Sequence, residues 1–312
     1  MLPGLDYPLW YYAVASLTLF ISLPLFGGPV VSLISEIYGA ASKKILATKF
    51  AQHCDRFSTW VLLLALVLSF LSFFFLVPAT RWYPIPFRIS DQTLSILAGA
   101  GGLALIFWIL RTATWKPLKK KKGLHITFGV VQVIALLSLL LAAISIKARL
   151  LILSPGESLQ LDFPTLMGWE GDSLFWPVLI QIFLKTIGLA GAAVLPYLLW
   201  RRNKDDFGRD YYNWSVSTAS KWAVIFLLGQ LLILPWYYLL GLLRTEWIAY
   251  AAGGAIVALF LAAAVWLLLI RSRTPLRYKG MMIFALVFVW ASLTLQLMIA
   301  DGFLPSILMQ IG

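Results

Sequence analysis

Eight apolar stretches, at roughly 9–35, 58–78, 93–112, 125–146, 174–200, 218–241, 247–270 and 280–300, dominate this sequence and leave few folds open to it. A helix needs about 20 apolar residues to cross the hydrocarbon core of a bilayer, and each stretch supplies them. No water is present there to satisfy backbone N–H and C=O groups, so only helices or closed barrels can span it. A barrel would show short strands of alternating polarity. These runs are continuous and rich in Leu, Ala and Ile, which predicts helices. Hydrophobic residues make up 61% of the chain and charged residues 12%, against about 25% charged in a soluble domain. The expected fold is all-α: a polytopic membrane protein of about eight transmembrane helices.

The net charge of +12 is placed where the orientation of a membrane protein would place it, so it does not point to nucleic acid. The loops at 36–57, 111–122, 201–221 and 271–279 carry 4, 6, 5 and 4 of the 25 Lys and Arg residues. Those loops alternate along the chain and belong in the cytoplasm. Both termini are then expected on the periplasmic side of a bacterial inner membrane. The N-terminal run has no basic segment before it and exceeds signal-peptide length, so it reads as a retained first span. Two outer connections stand out. Residues 79–92, with Trp82 and Tyr83, read as an interfacial segment, and residues 151–173 read as an ordered, acidic connecting loop.

The chain reads as duplicated. Phe20 aligns with Phe183, Gly28 with Gly191, Trp60 with Trp222, Trp108 with Trp266, and Pro117 with Pro275. The expected organisation is a first four-helix unit at 1–150, an outer loop at 151–173, and a second four-helix unit at 174–312. Each half starts and ends outside, so the repeats are parallel, related by an axis along the membrane normal. On the same alignment His53 falls near Ser215 and His125 falls on Met282.

Few residues can carry chemistry. The single cysteine, Cys54, excludes an internal disulfide, and no zinc-ligand spacing surrounds it. The only histidines, His53 and His125, are expected at the starts of the second and fourth spans. Two imidazoles so placed are candidate axial ligands for a haem b iron, or interfacial groups that hydrogen-bond loops and headgroups. Lys185 lies within the fifth span, where a charge costs about 2.5–3.5 kcal/mol by insertion measures and calls for a partner or a wet cavity. It is a candidate quinone or proton-path contact. Gln132, Gln230 and Gln296 read as interhelical glue. Gly27-Gly28 and Gly101-Gly102 read as close helix crossings, and Pro24, Pro29 and Pro196 as bends. No P-loop, dinucleotide fingerprint, haem-c attachment site or zinc-protease motif is present.

The order Tyr7-Pro8-Leu9-Trp10, then LFISLPLFGGPVVSLISE (19–36), then AQHCDRFSTWVLLLALVLSF (51–70) resembles the opening of bd-type quinol oxidase subunit I. It resembles most the cytochrome b-like membrane proteins of bacterial respiratory gene sets rich in multihaem cytochromes c. In that family a glycine-rich turn ends the first helix, a basic loop follows, and a His-x-Arg-Phe-like segment opens the second. Gly27-Gly28 and His53-Cys54-Asp55-Arg56-Phe57 match this with one extra residue before Arg56. The family's haem-ligand His in the first helix is replaced by the Phe20, Ser22 and Pro24 region, and GRQPW is missing. What the resemblance implies is a quinone-linked or scaffold subunit with at most one haem b and no oxygen-reducing site.

The expectation is therefore an integral membrane subunit of a respiratory electron-transfer complex. It would link menaquinone or ubiquinone to multihaem cytochrome c or iron–sulfur partners, or anchor those partners. The alternatives are a membrane transporter, which the parallel repeats and Pro-broken spans also suit, and a cofactor-free structural anchor.

Overall fold

The computed structural model describes residues 8–75, 87–151, 159–162, 175–205, 207–239 and 246–310. The chain begins with α1 (Leu9–Ser22), α2 (Pro24–Ala41) and α3 (Ile45–Phe75). A short strand β1 (Phe87–Ile89) precedes the hairpin of α4 (Asp91–Thr114) and α5 (Lys122–Leu151), and β2 (Leu159–Leu161) follows it. The second half contains α6 (Phe175–Arg202), α7 (Arg209–Gly229), a 3-10 turn at Gln230–Ile233 and α8 (Leu234–Leu239). It ends with α9 (Glu246–Arg271), a 3-10 turn at Pro275–Tyr278 and α10 (Lys279–Gln310).

The fold is helical, as expected, and seven segments among the described residues are long and apolar enough to cross a membrane. They are Leu9–Ala41, Asp91–Thr114, Lys122–Ile146, Phe175–Arg202, Arg209–Leu239, Glu246–Arg271 and Pro275–Ala300. Length and composition make this a multi-pass membrane protein. The expected span at 58–78 lies in α3 up to Phe75, and its last residues fall outside the described ones. One departure from an all-α fold appears: β1 and β2 pair in parallel, with Phe87 opposite Leu159 and Ile89 opposite Leu161. These strands come from the two outer connections, whose remaining residues at 79–86, 152–158 and 163–173 lie outside the described ones.

Local sequence sets the helix boundaries. Pro24 opens α2, where its missing N–H costs nothing. The Leu23 N–H still reaches Leu19 O at 2.9 Å, so α1 runs into α2 almost without interruption. Ser90 caps α4 by accepting from the Thr93 N–H at 3.3 Å, and Asp91 adds negative charge to the first turn. The basic segment at 36–57 is not an open loop. Apart from residues 42–44 it is helical, because Ser42 terminates α2 by bonding Tyr38 O while Lys43 turns the chain with φ of 55°.

Contacts divide the molecule into two units, Met1–Leu66 with Phe183–Gly302, and Val67–Ile182 with Phe303–Gly312. In the first, glycines let helices touch. A Cβ on Gly27 would collide with Thr186 O, and one on Gly28 would collide with Ser58 Oγ. On α6, a Cβ on Gly191 would meet Ala223 N and Trp222 Cβ of α7 at 2.7 Å. Side-chain hydrogen bonds join further pairs: Ser32 Oγ donates to Ala51 O at 2.8 Å, Ser292 Oγ to Ala255 O at 2.9 Å, and Trp290 Nε1 to Ala13 O at 3.1 Å. Apolar side chains gain little by leaving lipid for another helix, so small residues and such bonds carry the association. Gly101 and Gly102 do not mark a crossing as expected. A Cβ at either would meet nothing within 4 Å.

Candidate functional site

In the first unit, His53 is buried and bonds to side chains from the second half of the sequence. At 31 residues α3 is about 46 Å long, well beyond the bilayer core, so its N-terminal turns can sit outside the hydrocarbon. His53 lies more than two turns into α3 and just ahead of its apolar part. The ring is 1% exposed. It is surrounded by aromatic rings, with centroids at 5.4 Å for Phe207, 5.5 Å for Tyr211, and 6.3 Å for both Tyr197 and Tyr212.

Both ring nitrogens are engaged. Nε2 is 3.1 Å from Asp205 Oδ2, and Nδ1 is 2.6 Å from the Tyr211 hydroxyl. Burial pushes the imidazole down to about 4, helped by Arg56 and Arg201 and opposed by Asp205, so His53 is neutral at pH 7. Burial alone would raise the Asp205 carboxyl, but hydrogen bonds from Arg201 and His53 outweigh it and hold the carboxyl below its ordinary value. An ionised carboxylate only accepts, so Nε2 carries the proton and donates to Asp205. Nδ1 then has a lone pair, and the Tyr211 hydroxyl donates to it. One tautomer satisfies every partner, giving a chain that runs Tyr211 to His53 to Asp205.

The connection between α6 and α7 brings Asp205 to this place. Arg201, in the last turn of α6, grips the carboxylate through Nε to Oδ2 at 2.7 Å and Nη2 to Oδ1 at 2.5 Å. The Asp205 N–H closes on Arg201 O at 2.8 Å, and Tyr212 donates to Asp205 O at 3.4 Å. Gly208, with φ of 79°, starts α7 in a conformation that favours glycine. Phe207 is held beside His53 by the Lys49 ammonium, 4.4 Å from its ring centroid.

His125 belongs to the second unit, in the first turn of α5. Its Nε2 donates to Arg111 O at 3.1 Å, and the Trp115 ring packs against it at 4.3 Å. It clips the start of α5 to the end of α4. Lys185 is half-buried in α6, next to the Thr186–Gly27 crossing. Of the three residues singled out by sequence, His53 is the one whose side-chain partners form a connected polar chain among the described contacts. Asp205, Tyr211, Arg201 and Phe207 escaped the sequence reading, since a long-range hydrogen bond leaves no local pattern. Two hints existed: the Arg201/Asp205 spacing of four residues, and the alignment of His53 with the turn around Ser215, whose hydroxyl bonds Tyr211 O at 2.8 Å.

A haem iron implied by the family resemblance needs a free imidazole nitrogen from each ligand. His53 has none in this arrangement, since ligation would displace Tyr211 or Asp205. As arranged here, His53 does not fit haem ligation. Among the described residues no group of three or more His, Cys, Asp and Glu side chains could hold a metal ion. No family model matches the sequence, and no curated protein matches it.

Proposed function

We propose that this chain is an integral membrane subunit of a bacterial respiratory electron-transfer complex, linked to the quinone pool, in which the Tyr211–His53–Asp205 chain conducts protons. The observation that carries the reading is the buried relay itself: an imidazole that accepts at one nitrogen and donates at the other, with partners at 2.6 and 3.1 Å. Such a group passes a proton along without holding a charge in a poorly solvated place. Asp205, at 16% side-chain exposure, supplies the outlet to water.

A hydroquinone passes its electrons to a multihaem cytochrome c or iron–sulfur partner of the complex and loses its hydroxyl protons. Tyr211 is itself buried, so one such proton would reach its oxygen through an intervening water or polar group, and Tyr211 gives its own to His53 Nδ1. The Nε2 proton moves to Asp205, which releases it to water. His53 is left in the other tautomer, and rotation of the ring or exchange of its protons with water resets it. Menaquinone and ubiquinone both satisfy this chemistry. Lys185, in the turn beside the Gly27 crossing, is a second polar contact for the quinone or the proton path.

On this reading the chain lies in the bacterial inner membrane with eight spans, the eighth being the apolar part of α3, and with both termini periplasmic. Duplication into units 1–150 and 174–312 is supported by two matched crossings, Gly28 against Ser58 and Gly191 against Trp222 and Ala223. The transporter alternative draws on the prolines inside the first and fifth spans, Pro29 and Pro196.

The test is fluorescence-quenching titration of the quinol-site inhibitor 2-heptyl-4-hydroxyquinoline N-oxide against the chain purified with its companions. Saturable binding near one site per chain, weakened several-fold in His53→Gln, is the expected result. Binding that is absent in every preparation would leave the anchor reading in its place.

A further inference from the structure

The relay starts from one resting tautomer of His53, and nothing in the imidazole itself selects it. Asp205 Oδ2 accepts from His53 Nε2 at 3.1 Å and from Arg201 Nε at 2.7 Å. The second carboxylate oxygen is taken by Arg201 Nη2 at 2.5 Å. A guanidinium fork on both oxygens fixes the plane of the carboxylate, which a single hydrogen bond would leave free to turn. The backbone of Asp205 is held separately, through its N–H on Arg201 O at 2.8 Å. The side chain of Arg201 therefore controls the orientation of the acceptor, not the path of the chain.

From this geometry we infer that Arg201 is the positioning residue of the relay: by orienting Asp205, it locks the proton of His53 on Nε2 and leaves Nδ1 open to Tyr211. The inference takes its functional meaning from the proton-relay reading above, yet its structural claim concerns the free protein. An exposed pair of this spacing would ordinarily be a minor helix-end contact. Here the same carboxylate oxygen also serves a buried imidazole, so the pair acts on a third group. Phe207 reinforces the arrangement. It packs on the His53 ring at 5.4 Å under the Lys49 ammonium, so the face of the imidazole is covered by a ring that cannot compete for its protons.

Two histidines make the claim directly measurable. The full chain, labelled with 15N-histidine in a His125→Asn background, gives one imidazole whose two nitrogens report protonation by NMR in detergent or nanodiscs. The native arrangement is expected to show a protonated Nε2 and an unprotonated Nδ1 at neutral pH. Arg201→Gln is expected to turn this single tautomer into a mixture, and Arg201→Lys to restore it in part. Asp205→Asn, whose carboxamide can turn its NH2 towards His53, is expected to move the proton to Nδ1. Tyr211→Phe is expected to leave Nε2 protonated, since Tyr211 follows the tautomer and does not set it. A native Nδ1–H form would overturn the inference, as would an unchanged tautomer in Arg201→Gln. If the His125→Asn background does not fold, the same signals are assigned in the native chain by their loss in His53→Gln. No quinone or partner enters the experiment, so a locked tautomer without inhibitor binding would sink only the quinone reading.

Discussion

Burial decides the protonation of His53, and this has a measurable consequence. Its imidazole lies at about 4 in the folded chain, against an ordinary 6.5, with burial the largest cause. Between those values the unfolded chain binds a proton that the folded chain refuses. Stability therefore rises with pH across that window and is lost as pH falls from about 6.5 to about 4. The full difference is on the order of 3 kcal/mol, at about 1.4 kcal/mol per unit. Asp205, held low by Arg201 and His53, acts in the same direction but at more acidic pH. The thermal midpoint of the purified chain should fall across the window, and His53→Gln should flatten that slope. An identical slope in the variant would show that the imidazole is not buried as described. At His125 the expectation differs, because it belongs to the second unit and clips α5 to Arg111 O. His125→Ala should cost about 1–2 kcal/mol through the lost bond, read as a lower melting temperature, and should leave quinol-site inhibitor binding unchanged.

At the scale of elements, close packing is concentrated where glycine meets a neighbouring helix. Gly28→Val would press a branched side chain into Ser58, whose Oγ already fills the place a Cβ would need. Overpacking of this kind costs about 1–3 kcal/mol or more, so a lower melting temperature and poor yield are expected. Gly101→Ala should be neutral or slightly stabilising, since it fills open space in a helix. Equal behaviour of the two variants would contradict the packing described. The sequence made the first crossing legible because Gly27-Gly28 sits between prolines in a span, but an equally glycine-rich stretch at 101–102 packs on nothing within reach of a Cβ. Hydropathy locates spans; it does not say which face of a helix meets another. Basic loops are similarly legible as a category only. Counting Lys and Arg marked 36–57 as one loop, whereas a three-residue turn at Ser42 lets two helices reach across nearly all of it. The partners of His53 lie 152 and 158 residues away in sequence, and no local pattern announces contacts that depend on how two helix pairs pack.

For the molecule as a whole, the apolar segments make a multi-pass membrane protein, and charge placement gives the proposed orientation. In a Cys54→Ser background, single cysteines at Lys120 and Asn203 should react with a membrane-impermeant maleimide only from the cytoplasmic side, and one at Glu246 only from the periplasmic side. Labelling of Lys120→Cys from the periplasm would reverse the topology and put the His53 relay at the opposite face. That the relay serves quinol oxidation is tested most directly by the rate at which the isolated complex oxidises a soluble menaquinol analogue across the pH range, in the native chain and in His53→Gln. A fall of tenfold or more is predicted in the variant, with intact folding and partner binding. Unchanged turnover with the relay removed would contradict the proposed role.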